Sequence, residues 1–289
     1  MPLTSYADLV QDARRGRYAV GAFNIFALEF LPSILQAAEE EKAPVLLQIN
    51  PIHYYLADLP AYLRYVKEQI ARVSVPVGLN LDHGASFDII AQGIRAGFPS
   101  VMFDGSKLPY SENLEQTRKC SELCQATGVT LEAELGTLND EGLELTAENR
   151  DRLFTDPDTA AEFVAATGVH ALAVAIGNAH GFYKGKPQLD FDRLQTIAER
   201  VPVPMVLHGG SGISDDDFQK AISLGINKIN IYTEMSAAAA ASMRDRTAES
   251  DTPLDYPTLL AQARKSVKEV VTHKIRIFGS QGRGRRAVP

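Results

Sequence analysis

Three of the six histidines share one setting: His83, His180 and His208 each close an apolar run and are followed at once by glycine, in LNLDHG, AVAIGNAHG and MVLHGGSG. His53, His170 and His273 stand elsewhere. A single histidine ending a strand is more often a satisfied core residue than a ligand. Three brought to one rim point to a metal, because neutral imidazoles suit Zn²⁺, and three protein ligands leave a position open, as catalytic sites do. Asp104 and Glu134 end apolar runs of their own. They can orient the imidazoles as acceptors or hold a second cation, and pairing with a lysine or arginine inside the fold is the plain alternative. Cys120 and Cys124, four apart in a helical pattern, are read as reduced core thiols without chemistry.

The residues after His208 raise a second possibility. Gly209, Gly210, Ser211 and Gly212 let the backbone take positive φ and aim successive N–H groups at one point, which is an anion nest. A phosphate resting on Gly209, Gly210 and Ser211 would complete its shell from Gly181 and from Asn230, Ile231, Tyr232 and Thr233. Alone, GGSG is a tight turn; one residue from a metal ligand, it gains weight.

These residues need strands to carry them. Short apolar runs at 18–25, 44–50, 75–83, 98–105, 129–135, 170–179, 203–208 and 226–233 alternate with amphipathic stretches of helical period. Strands apolar on both faces, alternating with helices, predict a parallel sheet covered by helices, and eight such units predict closure into a (β/α)8 TIM barrel. A doubly wound open sheet is the alternative, but no GxGxxG follows the first strand and no P-loop motif occurs. In a barrel the chemistry sits at the carboxyl ends of the strands. Read in order, those ends carry Asp82 and His83, Asp104, Glu134, His180, His208 and Asn230. Residues 234–289 read as a C-terminal helical extension, and no Pro-, Gly- or Ser-rich linker divides 1–289, so one domain is expected. Two loops, 136–155 and 182–189, are long and polar enough to expect function in them.

Composition narrows the partners. The 289 residues carry 29 basic and 36 acidic side chains, net −7, which argues against nucleic acid and anionic lipid as partners. The N-terminal MPLTSYADLVQDARRG resembles no secretory signal, no apolar run reaches the ~18 residues of a membrane span, and a cytoplasmic location is expected.

The motifs GAFNI (21–25), LDHG (81–84), VMFDGS (101–106), EAELG (132–136), AIGNAHGFYKG (175–185), LHGGSG (207–212), KINIYTE (228–234) and KIRIFGS (274–280) span nearly the whole chain in order. With them the sequence resembles the class II, metal-dependent ketose-bisphosphate aldolases, nearest the fructose-bisphosphate and tagatose-bisphosphate members. The resemblance implies reversible cleavage of a phosphorylated ketose to dihydroxyacetone phosphate and an aldehyde such as glyceraldehyde 3-phosphate. It implies that His83, His180 and His208 hold a catalytic Zn²⁺ and that Asp82 moves the proton at the C4 hydroxyl. By the same resemblance, Asp104 and Glu134 match positions that bind a second divalent cation or support the site, and Asn24 matches a substrate contact. Gly181, Gly209 to Ser211 and Asn230 to Thr233 match the segments around the dihydroxyacetone phosphate moiety, with a monovalent cation (Na⁺ or K⁺) beside it. Arg244 falls where relatives reach the far phosphate across a dimer interface, a surface salt bridge being the plain alternative. A homodimer or homotetramer is expected from the resemblance and from the amphipathic tail QARKSVKEVVTHKIRIF, whose stripe could equally pack on its own barrel.

Departures bear on the substrate. Relatives follow the EAELG strand with a glycine pair and Glu-Asp, whose glutamate shuttles the proton at C3; here the loop is TLNDEGLEL, with Asp140, Glu141 and Glu144 available and Glu141 taken for the role. Asn50 and Tyr232 replace smaller or acidic residues where the aldehyde half would be read, so another phosphorylated ketose, or a non-catalytic sugar-phosphate binder, is the alternative. A Schiff-base aldolase using Lys228 is a further rival, since Lys228 shares a strand face with Asn230. A metal-dependent hydrolase would want a His-x-His pair on the first strand, which YAVGAFNI lacks.

Overall fold

Eight strands, each parallel to the next, close on themselves in sequence order: β1 Val20–Asn24, β2 Val45–Ile49, β3 Val77–Gly84, β4 Ser100–Phe103, β5 Thr130–Leu135, β6 Ala171–Val174, β7 Met205–Leu207 and β8 Ile226–Ile231. Closure is the β8–β1 pairing, Val20 opposite Lys228 through Phe23 opposite Ile231. The expected (β/α)8 barrel is thus present in this computed structural model, which describes residues 3–51, 58–138, 146–181, 183, 185–250 and 252–284.

The helices are α1 Tyr6–Gly16, α2 Phe30–Glu41, α3 Leu59–Ile70, α4 Phe87–Ala96, α5 Tyr110–Thr127, α6 Ala147–Leu153, α7 Pro157–Thr167, α8 Phe191–Arg200, α9 Asp215–Ser223, α10 Thr233–Ala248 and α11 Tyr256–Ile277. Their starts are written locally. At α7 the Asp156 carboxylate accepts from Thr159 N–H and Pro157 occupies the first turn, where a missing N–H costs nothing. Ser86 and Ser214 cap α4 and α9 in the same way. None of the described helices is long and apolar enough to cross a membrane.

Two layers of apolar packing result. Outward side chains such as Phe23, Leu79, Leu131 and Ile229 pack against the helices. Inside the barrel, Val20, Ala22, Leu46, Ala171, Ala173 and Val206 meet Tyr6, Leu9, Val10 and Ala13 of α1, which plugs the N-terminal end. Above that plug the inward positions turn polar and remain buried: Asn24, Gln48, Asn80, Glu132, Lys228 and Asn230. One end of the barrel is therefore sealed by hydrophobic burial, and the other is left for polar side chains.

Three expectations need correction. The strands are shorter than the apolar runs that announced them; β6 stops at Val174, and residues up to Ala179 form the turn that carries His180. The segment 136–155 is not loop throughout, because Thr146 caps a short helix, α6, through Asn149 N–H. The apolar stripe of α11 (Val267, Val271, Ile275) is buried within its own chain, with α11 packed on α2 and α10, and so gives no support to an oligomer.

Candidate metal centre and active site

The strand ends surround a cavity of about 840 Å³ at the carboxyl end of the barrel. Asp82 and His83 both line it, although consecutive strand residues should face opposite sides of a sheet. A β-bulge resolves the conflict: β3 spans four residues from Leu81 to Gly84 while its partner β4 spans three, from Val101 to Phe103. His83 sits in the extra length with φ +51°, a left-handed conformation that a histidine adopts at a cost of about 1–3 kcal/mol.

His83, His180 and His208 meet at this mouth with ligand atoms within 4.8 Å of one another, so that a small inward turn of the rings brings them to the ~2.0–2.1 Å Zn–N distance from one ion. His83 Nε2 faces His208 Nδ1 at 3.0 Å, and the rings of His83 and His180 are 4.9 Å apart. Asp104 Oδ2 bonds the other nitrogen of His83, Nδ1, at 2.8 Å, an arrangement that turns the ring toward its fellows. His83, Asp104 and Glu134 form a second cluster of ligand type, and Glu134 Oε2 is buried without a hydrogen-bond partner. The donors present fit one divalent ion among the imidazoles and leave an acceptor beside it.

The electrostatics favour the same conclusion. Burial holds the His208 imidazole down, at about 4, so it is neutral and able to ligate at pH 7. Burial also opposes charge on His83, but Asp82 and Asp104 outweigh it and raise the ring to about 10, so an arriving cation must displace a proton there. Burial and the nearby Asp104 carboxylate push Glu134 well above the usual carboxylate range. Asp82 is held below its usual value: burial is outweighed by the charges of His83 and Lys228 and by a hydrogen bond from Asn24. Asn24 Nδ2 donates to Asp82 Oδ2 at 2.7 Å and Asn230 Nδ2 to Oδ1 at 3.3 Å, which fixes the carboxylate between two strands.

The expected phosphate cradle lies on the same cavity. Gly181, Gly209, Gly210, Ser211, Asn230, Tyr232 and Thr233 all line it. Gly209 has φ +62°, and a Cβ there would lie 2.0 Å from the carbonyl oxygen of Ala179. Gly209→Ala is therefore expected to cost about 3 kcal/mol or more, combining left-handed strain with a backbone clash; urea unfolding measures it. A loss below about 0.5 kcal/mol would mean that the turn relaxes freely. Two further residues brace the cradle: Tyr183 OH donates to the Gly209 carbonyl at 2.9 Å, and Asn178 Nδ2 donates to the His208 carbonyl at 3.0 Å.

Not every expected residue comes to the cavity. Ile231 points outward into the helix-facing core, as alternation along β8 requires, so only its backbone could serve a ligand. Arg244 lies on α10, exposed, paired with Asp245 at 2.8 Å. Asp140, Glu141 and Glu144 lie outside the described residues. Lys228 does face the barrel interior, but it is wholly buried below the cavity and bound to Glu132 at 2.8 Å, which removes it as a Schiff-base nucleophile. Residues near the site that were not foreseen from sequence include Glu132, which faces His208, the cavity-lining cations Lys107 and Arg152, and Phe26. Glu132 was accessible, since it stands two residues before Glu134 and so on the same face of β5.

The chain matches the family described as "Fructose-bisphosphate aldolase class-II" over residues 4–283. A Bacillus subtilis (strain 168) protein named "Probable fructose-bisphosphate aldolase" is 42% identical over 283 residues, 97% of this chain and 99% of its own. A Staphylococcus aureus (strain Mu50 / ATCC 700699) protein named "Fructose-bisphosphate aldolase" is 39% identical over 288 residues, covering 99% and 100%. Among solved structures, the YdjI aldolase from Escherichia coli K12 superposes with a TM-score of 0.87 at 37% identity, covering 98% of this chain and 100% of the other.

Proposed function

Because the chain belongs to the class II fructose-bisphosphate aldolase family, whose members are metal-dependent lyases, we propose that it cleaves and re-forms a ketose bisphosphate, fructose 1,6-bisphosphate or tagatose 1,6-bisphosphate. The products are dihydroxyacetone phosphate and glyceraldehyde 3-phosphate. The observation that carries this reading is the meeting of three imidazoles, a clamped carboxylate and a glycine cradle on one cavity.

In this reading His83, His180 and His208 hold the divalent ion, zinc by family. Bound there, it supplies Lewis acidity that draws electron density from the ketose carbonyl. Asp82, an oriented anion, takes the proton from the C4 hydroxyl as the C3–C4 bond breaks. Gly181, Gly209, Gly210 and Ser211, with Asn230 to Thr233, hold the phosphate next to the carbonyl, and Asn24 orders Asp82 and touches substrate. Lys107 and Arg152 add positive charge to the cavity wall of an otherwise acidic protein. Glu141 is the proton shuttle at C3. A second divalent cation belongs to Asp104 and Glu134, beside His83, and a monovalent cation (Na⁺ or K⁺) sits beside the phosphate. The whole chain acts as one domain, in the cytoplasm, as a homodimer or homotetramer in which Arg244 reaches toward a neighbouring copy.

One observation favours a different phosphorylated ketose within the same chemistry. Tyr232 packs on Phe26 with ring centroids 4.1 Å apart, both on the cavity wall, so an aromatic pair stands where the aldehyde half would be read. The deciding experiment is a coupled triose-phosphate assay over ketose mono- and bisphosphates with and without chelator. Release that stops with EDTA and returns with zinc is expected. No release from any ketose by the metal-loaded protein would leave a sugar-phosphate binder instead.

A further inference from the structure

His208 is gripped on the side away from the other imidazoles. Its Nε2 faces Glu132 Oε1 at 2.9 Å, while Nδ1 is turned toward His83. A ring that donates from Nε2 to a carboxylate leaves its lone pair on Nδ1, the nitrogen on the side where the three histidines converge. Glu132 is in turn committed to acceptance, because Lys228 Nζ lies 3.1 Å from Oε1 and 2.8 Å from Oε2, and the Tyr6 hydroxyl also donates to Oε2. His208, Glu132, Lys228 and Tyr6 are all at most 1% exposed, so no solvent competes for these bonds. Tyr6 comes from α1, the helix that plugs the opposite end of the barrel.

We propose that Glu132, backed by Lys228 and Tyr6, is a positioning residue that sets the tautomer of His208 for metal capture, so that the N-terminal plug helix is mechanically tied to the metal site. This rests on the reading of His208 as a ligand. It also explains why Lys228 is buried there. A buried carboxylate with one cation and one hydroxyl on it can only accept, whereas a neutral partner could donate and turn the ring's proton to the wrong nitrogen.

The test uses the full-length protein, stripped of metal and titrated with Zn²⁺ against a chromophoric chelator, with ¹⁵N NMR of the metal-free histidines to report tautomers. Glu132→Gln is expected to weaken Zn²⁺ binding by about 10–100-fold, the range for such outer partners, and to bring a population of Nδ1–H His208. Tyr6→Phe, which deletes one hydroxyl and leaves the ion pair, is expected to weaken binding in the same direction by less than about tenfold. If wild-type protein and His208→Ala bind zinc equally, the ligand assignment itself falls. If His208→Ala loses zinc while Glu132→Gln binds it as wild type does with an unchanged tautomer, the ligand stands and the positioning role is refuted. Should Glu132→Gln fail to fold, Tyr6→Phe decides, and wild-type affinity together with an unchanged His208 tautomer there counts against the proposal.

Discussion

His208→Ala is expected to lose bound divalent metal and to lower turnover by at least about 10³–10⁴-fold, since Lewis-acid stabilisation is worth several kcal/mol and each 1.4 kcal/mol is tenfold in rate. Of the three imidazoles, His208 is the one wholly buried, with its ring held between His83 and Glu132. Removing it opens the centre of the cluster and leaves Glu134, whose Oε2 lies 3.8 Å from His208 Nδ1, as a remaining carboxylate donor on that side. Glu132 would still be compensated by Lys228 and Tyr6, so the barrel should survive the change. Metal content after dialysis, measured beside the rate of triose-phosphate release, checks both halves of the expectation. A variant that keeps stoichiometric metal would show that the other two histidines and a carboxylate suffice.

Asp82→Ala should do the opposite to the metal and nearly as much to the rate. Asp82 is not needed to complete the histidine cluster, but its carboxylate is clamped by Asn24 and Asn230 at the cavity and kept ionised by the charges around it. An anion already poised there can act as a base without first losing a proton. Its removal is expected to cost about 10²–10⁴-fold in kcat, the usual range for a general acid–base group, with metal binding within a few fold of wild type. Steady-state kinetics on the metal-loaded variant, alongside a zinc titration, separates the roles. Unchanged kcat would transfer the proton step to another group.

Much of this site is legible in the chain, and the reasons are local. An apolar run ending in histidine and glycine marks a strand leaving the core, and both the three histidines and the Gly209–Ser211 turn can be found that way. Side-chain alternation explains Ile231, which the period of two sends outward, and it places Glu132 on the inward face of β5 together with Glu134. Lys107 and Arg152 carry no such mark, because each sits in a segment whose path to the cavity depends on how a loop folds back.

Alternation and strand count were determined by the order of residues alone, since burial on both faces leaves a parallel strand little freedom in composition. The placement of Asp82 and His83 on one wall was not. That depends on a bulge opposite β4 and on a histidine held at positive φ, both of which exist only once neighbouring strands are paired and the barrel has closed. The ion pair beneath His208 is of the same kind: Tyr6, Glu132 and Lys228 lie at 126 and 96 residues' separation and meet only inside a closed barrel.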